Sequence, residues 1–360
     1  MRTRTALAAA LATILAAVLA ASPLLVALPA EAFVSSCAGL PATIVGSNDK
    51  DTMVGTALRD VVQLGGGNDT FDGLAGDDVI CGGSGKDRLA GGAGNDRVYG
   101  DGGKDYFVEG SGNDRIIGGG GRDYLTYFML PSGIRVSNGT TIDGAGRDVT
   151  DTEAIEGTAY ADRMRGGAGD DDLRGLTGND AIDGGAGNDF LTATAGVIHG
   201  GAGSDFVDAS GTVTAYLGAG INGATMGPGR PTVVGGPEQD EFSFRARGTR
   251  ATVRGGGSDN QIVFLGVRRP VRADIGKGTA TWKGGSLGFA GVHSLIGTLR
   301  KDVLIGSASS DILYGRAGAD VLRSAGGNDI ITGQAGRDSG DGGSGIDYCF
   351  FVEVRRNCEG

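Results

Sequence analysis

A repeat of nine residues constrains this chain more than any other feature. Typical units are residues 82–90, Gly-Gly-Ser-Gly-Lys-Asp-Arg-Leu-Ala, and residues 91–99, Gly-Gly-Ala-Gly-Asn-Asp-Arg-Val-Tyr. In the nine consecutive units from residue 46 to residue 126, the sixth position is aspartate and the eighth is apolar. Because random placement of glycine and aspartate does not hold two positions in phase, this period predicts a stack of similar structural units. A stack of this kind has no fixed domain size.

The repeats fall into three blocks, which we place at residues 46–126, 157–208 and 297–350. The first block has units beginning at Gly46, Gly55, Leu64, Gly73, Gly82, Gly91, Gly100, Glu109 and Gly118. Residues 127–156 are predicted to form a wider coil, and residues 209–296 a degenerate part of the same solenoid. Neither stretch is long or apolar enough to bury a core of its own. Residues 33–45 and 351–360 are predicted to cap the two ends.

The positions of the unit indicate a site for a hard cation. Glycine allows backbone angles that are closed to other residues, so the chain can turn tightly and direct several carbonyl oxygens to one point. The sixth-position aspartate adds a carboxylate, and such an oxygen set suits calcium. One apolar side chain in nine residues gives too thin a core to order so much glycine. We therefore expect several calcium ions to be part of the fold.

The pattern Gly-Gly-x-Gly-x-Asp-x-apolar-x resembles the haemolysin-type, or RTX, calcium-binding repeat family. The resemblance implies an all-β fold, a parallel β-roll or β-solenoid, in which two repeats make one turn. It also implies calcium between the loops of repeats two apart, such as those of Asp69 and Asp87. The best sites are expected where position four is glycine. The predicted ligands are Asp69, Asp78, Asp87, Asp96, Asp105, Asp114, Asp123, Asp171, Asp180, Asp189, Asp205, Asp320, Asp329, Asp338 and Asp347.

The units that open each block depart from this pattern. Their fourth residues are Asp49, Leu58, Tyr160, Arg300 and Ser309. We expect these units to bind calcium poorly and to act as lead-in turns. A competing interpretation applies to every unit, because aspartate also caps turns through local hydrogen bonds without any metal.

The chain contains four cysteines, Cys37, Cys81, Cys349 and Cys358. An even number in an exported chain favours disulfides, and three pairings are open from the sequence. We expect Cys37 to pair with Cys81, and Cys349 with Cys358, because each bridge would then hold one end of the stack.

The amino terminus is typical of an export signal. Arg2 and Arg4 precede an apolar run over residues 6–27, and Ala30-Glu31-Ala32 predicts cleavage before Phe33. Residues 1–32 are thus predicted to be a signal peptide, with no membrane span in the mature chain. A membrane anchor, or lipid attachment at Cys37, are the alternatives. The predicted location is extracellular, either free or attached to the cell surface.

The sequence favours a non-catalytic role. Residues 284–288 match a hydrolase nucleophile motif and residues 218–223 a dinucleotide motif, but no helical pattern surrounds either. The formal net charge of −11 argues against a nucleic-acid partner.

We predict a structural or surface-interaction module, with a cell-surface glycan or protein as partner. Outward positions seven and nine show no basic or aromatic stripe. The alternative is an adhesin or a surface-layer component. A scaffold for a secreted hydrolase is a weaker alternative.

Overall fold

The computed structural model describes residues 35–138, 148–245, 248–257 and 259–359. Over these residues the chain is all-β and forms a solenoid of about 17 turns. None of the described residues belongs to a helix with the length and apolarity needed to cross a bilayer. The predicted signal peptide, residues 1–32, lies outside the described residues.

The strands are short, except where two successive strands of one turn merge into a single long strand. The first third contains β1 (Ser36–Cys37), β2 (Leu40–Pro41), β3 (Ile44–Val45), β4 (Thr52–Val54), β5 (Val61–Gly66), β6 (Thr70–Asp72), β7 (Val79–Gly85), β8 (Arg88–Ala90), β9 (Arg97–Gly103), β10 (Tyr106–Val108), β11 (Arg115–Ile117), β12 (Tyr124–Thr126), β13 (Arg135–Asn138) and β14 (Asp148–Thr150). The middle contains β15 (Ala154–Glu156), β16 (Arg163–Arg165), β17 (Asp172–Arg174), β18 (Asp180–Ala186), β19 (Phe190–Ala202), β20 (Phe206–Ala219), β21 (Gly223–Gly229), β22 (Thr232–Val234), β23 (Glu241–Arg245), β24 (Arg250–Arg254) and β25 (Gln261–Gly266). The last part contains β26 (Val271–Asp274), β27 (Thr279–Trp282), β28 (Gly285–Ala290), β29 (Ser294–Ile296), β30 (Val303–Ile305), β31 (Ile312–Ala317), β32 (Val321–Arg323), β33 (Ile330–Ala335), β34 (Ser339–Asp341), β35 (Tyr348–Phe350) and β36 (Val354–Arg356).

Successive strands alternate between two parallel stacks, so two repeats make one turn. In stack A, which begins with β3 and β5, Val62 pairs with Ile80. In stack B, which begins with β4 and β6, Phe71 pairs with Leu89 and Leu89 with Phe107. Each partner is 18 residues further along the chain, which is twice the sequence period. The parallel β-roll expected from the sequence is confirmed.

The apolar eighth residues of the repeats point into the roll. In stack A, Ile80 and Val98 are fully buried, and in stack B the same is true of Leu89 and Phe107. Each inward side chain lies on the one from the turn below, because parallel pairing keeps equivalent positions in register. The core is therefore a narrow column of single apolar residues per strand.

The stretches between the repeat blocks stay in the same two stacks. Long strands β19 and β20 each contribute their first part to stack B and their last part to stack A. Strand β14 is inserted in stack A between β11 and β13. Strands β26, β27 and β28 form an antiparallel meander that joins stack A between β24 and β30.

The meander widens the interior of the roll, and large aromatic side chains fill it. Stack B continues directly from β25 to β29 over the same stretch, so stack A has two additional strands here. Phe244 and Phe264 stack with ring centroids 5.6 Å apart, and Trp282 lies 6.0 and 5.9 Å from them. All three side chains are buried. These contacts tie the meander to stack B.

Candidate calcium sites

Fourteen of the fifteen predicted ligands are held by the turn before them. In these fourteen, Oδ1 accepts a hydrogen bond from the backbone N–H of the sixth residue one full turn earlier. Asp69 N–H donates to Asp87 Oδ1 at 2.8 Å, and Asp78 N–H to Asp96 Oδ1 at 2.8 Å. The residues are buried, with Asp78 0% and Asp87 2% exposed. The carboxylates therefore form ladders along the corners of the roll.

The second carboxylate oxygen separates the aspartates into two groups. In the first group Oδ2 is buried and has no hydrogen-bond partner among the described residues. This group comprises Asp69, Asp78, Asp87, Asp96, Asp105, Asp123, Asp180, Asp189, Asp205, Asp320, Asp329, Asp338 and Asp347. Leaving a buried acceptor unsatisfied costs about 1–3 kcal/mol, and more for a charged group. Thirteen such oxygens in equivalent places indicate that each faces a proton or a cation.

The turns of this group share one backbone conformation, in which the second and fourth residues both have positive φ. In the unit of Asp87 these are Gly83, with φ of 102°, and Gly85, with φ of 138°. Non-glycine residues accept the same strain, as Leu74 does with φ of 69°. The conformation is thus a property of the site and is kept even where the side chain disfavours it.

The second group of aspartates is satisfied by its own turn. Here Oδ2 accepts the N–H of the residue four positions earlier, as in Asp302 from Thr298 at 2.6 Å and Asp60 from Thr56 at 2.7 Å. We call these capped aspartates; they are Asp51, Asp60, Asp162, Asp171, Asp240, Asp302 and Asp311. Neither the second nor the fourth residue of their turns has positive φ.

Asn222 shows what surrounds the unsatisfied oxygen. It occupies a sixth position, and its turn has the strained conformation, with φ of 88° at Gly218 and 100° at Gly220. Its Nδ2 donates to the carbonyl oxygens of Gly218 at 3.4 Å and Gly220 at 2.9 Å. In this conformation the carbonyls of the second and fourth residues therefore face the side-chain end. Where aspartate replaces asparagine, Oδ2 and both carbonyls are acceptors, and this oxygen set suits calcium.

Comparison with known proteins agrees with this geometry. The family model for the RTX calcium-binding nonapeptide repeat matches residues 45–80, 81–108, 110–126, 156–191, 197–211, 296–331 and 321–349. These segments cover just over half of the chain. The chain belongs to the RTX calcium-binding repeat family. No curated protein matches it.

Burial raises the pKa of aspartates in these RTX repeats. Removal from water is the largest cause, and the neighbouring aspartates of the ladder add to it, while the backbone hydrogen bond to Oδ1 opposes it. The pKa rises to about 6 for Asp96, Asp180 and Asp189, and to about 7 for Asp105 and Asp320. Without a cation, such carboxylates are driven toward the protonated form.

Two of the fifteen predicted ligands differ from the rest. Asp171 is capped, because its Oδ2 accepts the N–H of Gly167 at 2.7 Å, although its unit matches the RTX pattern well. Asp114 keeps the ladder bond, with its Oδ1 2.9 Å from the N–H of Asp96, but the second residue of its turn, Gly110, lacks positive φ. Glycine at position four thus identifies fifteen units, of which thirteen have the strained turn and two, those of Asp114 and Asp171, do not.

Sequence reasoning missed Glu109, which occupies the first position of the Asp114 unit, where most units have glycine. Glu109 is 2% exposed, and its carboxylate, with those of Asp96 and Asp114, places ligand atoms within 4.8 Å of one another. The signal in the sequence was a carboxylate at position one, where most units have glycine. In the fold this position lies close to the sixth-position carboxylate.

Both expected disulfides are present in the structure. Cys37 of β1 is bonded to Cys81 of β7, and Cys349 of β35 to Cys358. Each bridge attaches an end segment to the roll, so the two ends of the stack are covalently fixed.

The two enzyme-like motifs lie within the solenoid. Ser286 is a residue of β28, paired with both β24 and β27, and does not lie at a strand-to-helix turn. Residues 218–223 form one of the repeat turns, including Asn222. His293 Nδ1 lies 3.2 Å from Oδ1 of the capped Asp311.

Proposed function

We propose that this chain is a secreted RTX protein whose β-roll folds on several calcium ions and serves as a structural or surface-interaction module. The observation that supports the proposal is the row of thirteen buried Oδ2 atoms without hydrogen-bond partners. Calcium would place its charge among these oxygens and the carbonyls of the strained turns, and its binding free energy would add to the stability of the fold.

The proposed extracellular location accounts for both the metal and the bridges. Disulfides persist in oxidising compartments, and the two bridges fix both ends of the roll. Extracellular calcium modules bind in the range of about 0.1–1 mM. The amino-terminal signal proposed for residues 1–32 would deliver the chain to such an environment. We assign no catalytic role to the roll.

Calcium binding by the purified chain, measured by isothermal titration against magnesium, tests the proposal. The expected result is several calcium ions per chain with dissociation constants of about 0.1–1 mM, and much weaker binding of magnesium, which keeps its water and demands a smaller site. Equal, weak binding of the two cations, as for a general acidic surface, would contradict it.

A further inference from the structure

A basic cleft interrupts the acidic surface of the roll. Five cationic side chains, Arg245, Arg268, Arg269, Lys283 and Arg300, line a cavity of about 920 Å³. The remaining lining residues are Pro228 and Gly266. All five cations are exposed, so their charges face solvent in the cleft.

The fold brings these residues together from separate turns. Arg245 ends β23, Arg268 and Arg269 lie between β25 and β26, and Arg300 lies between β29 and β30. Each of these places is the corner where the chain leaves stack B for stack A. Lys283 lies at the tip between β27 and β28, and it reaches the same corner because β28 runs parallel to β24. The meander therefore builds the cleft.

The charges of the cleft are poorly compensated. Among the described residues, Arg268, Arg269, Lys283 and Arg300 have no carboxylate within ion-pair distance, and Arg245 pairs with Asp208. Residues 228–301 contain twelve Lys and Arg against five Asp and Glu, whereas the whole chain has a net charge of −11. Such a concentration of like charge in an acidic protein is unfavourable unless an anion offsets it.

We propose that this cleft binds an anionic polysaccharide. Arginine donates paired hydrogen bonds to carboxylate or sulfate groups, and four uncompensated cations suit several such groups on one chain. Binding of single-stranded nucleic acid uses aromatic side chains for base stacking, and the lining residues include none. The acidic remainder of the molecule repels a long polyanion, so the contact is confined to the cleft. This inference rests on the proposed interaction role and names its partner.

Dextran sulfate and uncharged dextran provide matched probes, with the calcium-loaded full chain as the sample. We expect dextran sulfate to bind, with an affinity that falls steeply as salt rises, and dextran not to bind. The double variant Arg268→Glu/Arg269→Glu is expected to weaken binding at least tenfold. Arg97→Glu/Arg163→Glu, which changes two exposed strand residues outside the cleft by the same charge, is expected to weaken it less than threefold.

Three results would overturn the proposal. They are no binding of dextran sulfate at low salt, equal losses in the two double variants, and tighter binding of a single-stranded DNA oligomer than of dextran sulfate. Calcium titration of the same samples separates this outcome from a failure of the calcium proposal. A chain that binds calcium normally but not the polyanion would refute the cleft assignment alone.

Discussion

At the level of single residues, the two groups of aspartates differ in what faces Oδ2. In a capped turn an N–H donor faces it, as Thr298 faces Oδ2 of Asp302. In a strained turn, positive φ at the second and fourth residues replaces that donor with carbonyl acceptors, as the contacts of Asn222 indicate. The same residue type is therefore a turn cap in one unit and a candidate metal ligand in another.

The variant Asp87→Asn is expected to have opposite effects with and without calcium. Its amide would donate to the carbonyls of Gly83 and Gly85, as Asn222 does in its own turn, so the free energy of unfolding in chelator rises by about 1 kcal/mol. With calcium, the lost carboxylate weakens binding at that coil and lowers the midpoint of thermal unfolding. Thermal melts in chelator and in calcium measure both effects.

Asp302→Asn provides the matched control. Both oxygens of Asp302 already accept backbone N–H bonds, from Val271 and Thr298. An amide satisfies only one of them, so this variant is expected to lose about 1–3 kcal/mol in chelator and in calcium alike. A stabilising effect of Asp302→Asn, or a loss in chelator for Asp87→Asn, would refute the division into two groups.

The raised pKa values predict a pH dependence that calcium reverses. A folded-state pKa of about 7 for Asp105 and Asp320, and about 6 for Asp96, lies above the unfolded value of 3.8. In chelator, the folded state thus binds more protons, so stability falls as the pH rises from about 4 to 7. In calcium, protons compete with the metal, so calcium affinity falls as the pH drops through 7 to 5. Urea unfolding across this range checks both signs.

At the level of elements, the turn conformation depends on glycine at the fourth position. A Cβ at Gly85, where φ is 138°, would lie 1.4 Å from the carbonyl oxygen of Gly67. Gly85→Ala is therefore expected to lose at least about 2 kcal/mol in calcium. Gly169→Ala, in the capped turn of Asp171, meets no atom within 4 Å and should change stability by at most about 0.5 kcal/mol. Equal losses of unfolding free energy for the two variants, measured by urea unfolding, would contradict the division into two turn types.

The period of nine predicts the strands, the inward eighth residue and the ladder of aspartates, because each depends only on phase along the chain. The choice between strained and capped turns follows position two, which is glycine in the family pattern but differs in many units of this chain. Five of the seven capped turns have serine or threonine at position two, including Thr56, Thr158 and Thr298. The second position therefore carries a signal that the fourth does not. In the Asp171 unit, Gly167 and Gly169 permit either conformation, so the sequence alone does not decide.

The order of strands in stack A cannot be predicted from the local sequence. The sequence of β26 to β28 predicts extended segments. Their insertion into stack A as an antiparallel meander depends on pairing with the edges of β24 and β30, which are distant in the chain. The basic cleft depends on the same insertion. Arg245 and Arg300 are 55 residues apart, so no stripe of charge is visible along the chain.

At the level of the whole molecule, the disulfides hold the ends of a stack whose turns contact only their neighbours. The two bridges close loops of different length, with sequence separations of 44 and 9 residues. Cys37→Ser/Cys81→Ser is expected to lose about 4 kcal/mol and Cys349→Ser/Cys358→Ser about 3 kcal/mol, because a longer closed loop restricts the unfolded chain more. Urea unfolding in calcium measures the two losses. A larger loss for the second pair would show that this entropic account is wrong.

Unfolding is expected to be cooperative over the whole molecule, because adjacent turns share ladder bonds and would also share the proposed calcium sites. The most direct measurement is far-UV circular dichroism of the chain during titration with calcium, with magnesium as the comparison. The predicted result is a reduced β signal in chelator at pH 7.5, and a cooperative increase at about 0.1–1 mM calcium that magnesium does not produce. A full β spectrum in chelator, unchanged by calcium, would contradict the account and make the thirteen aspartates simple turn residues.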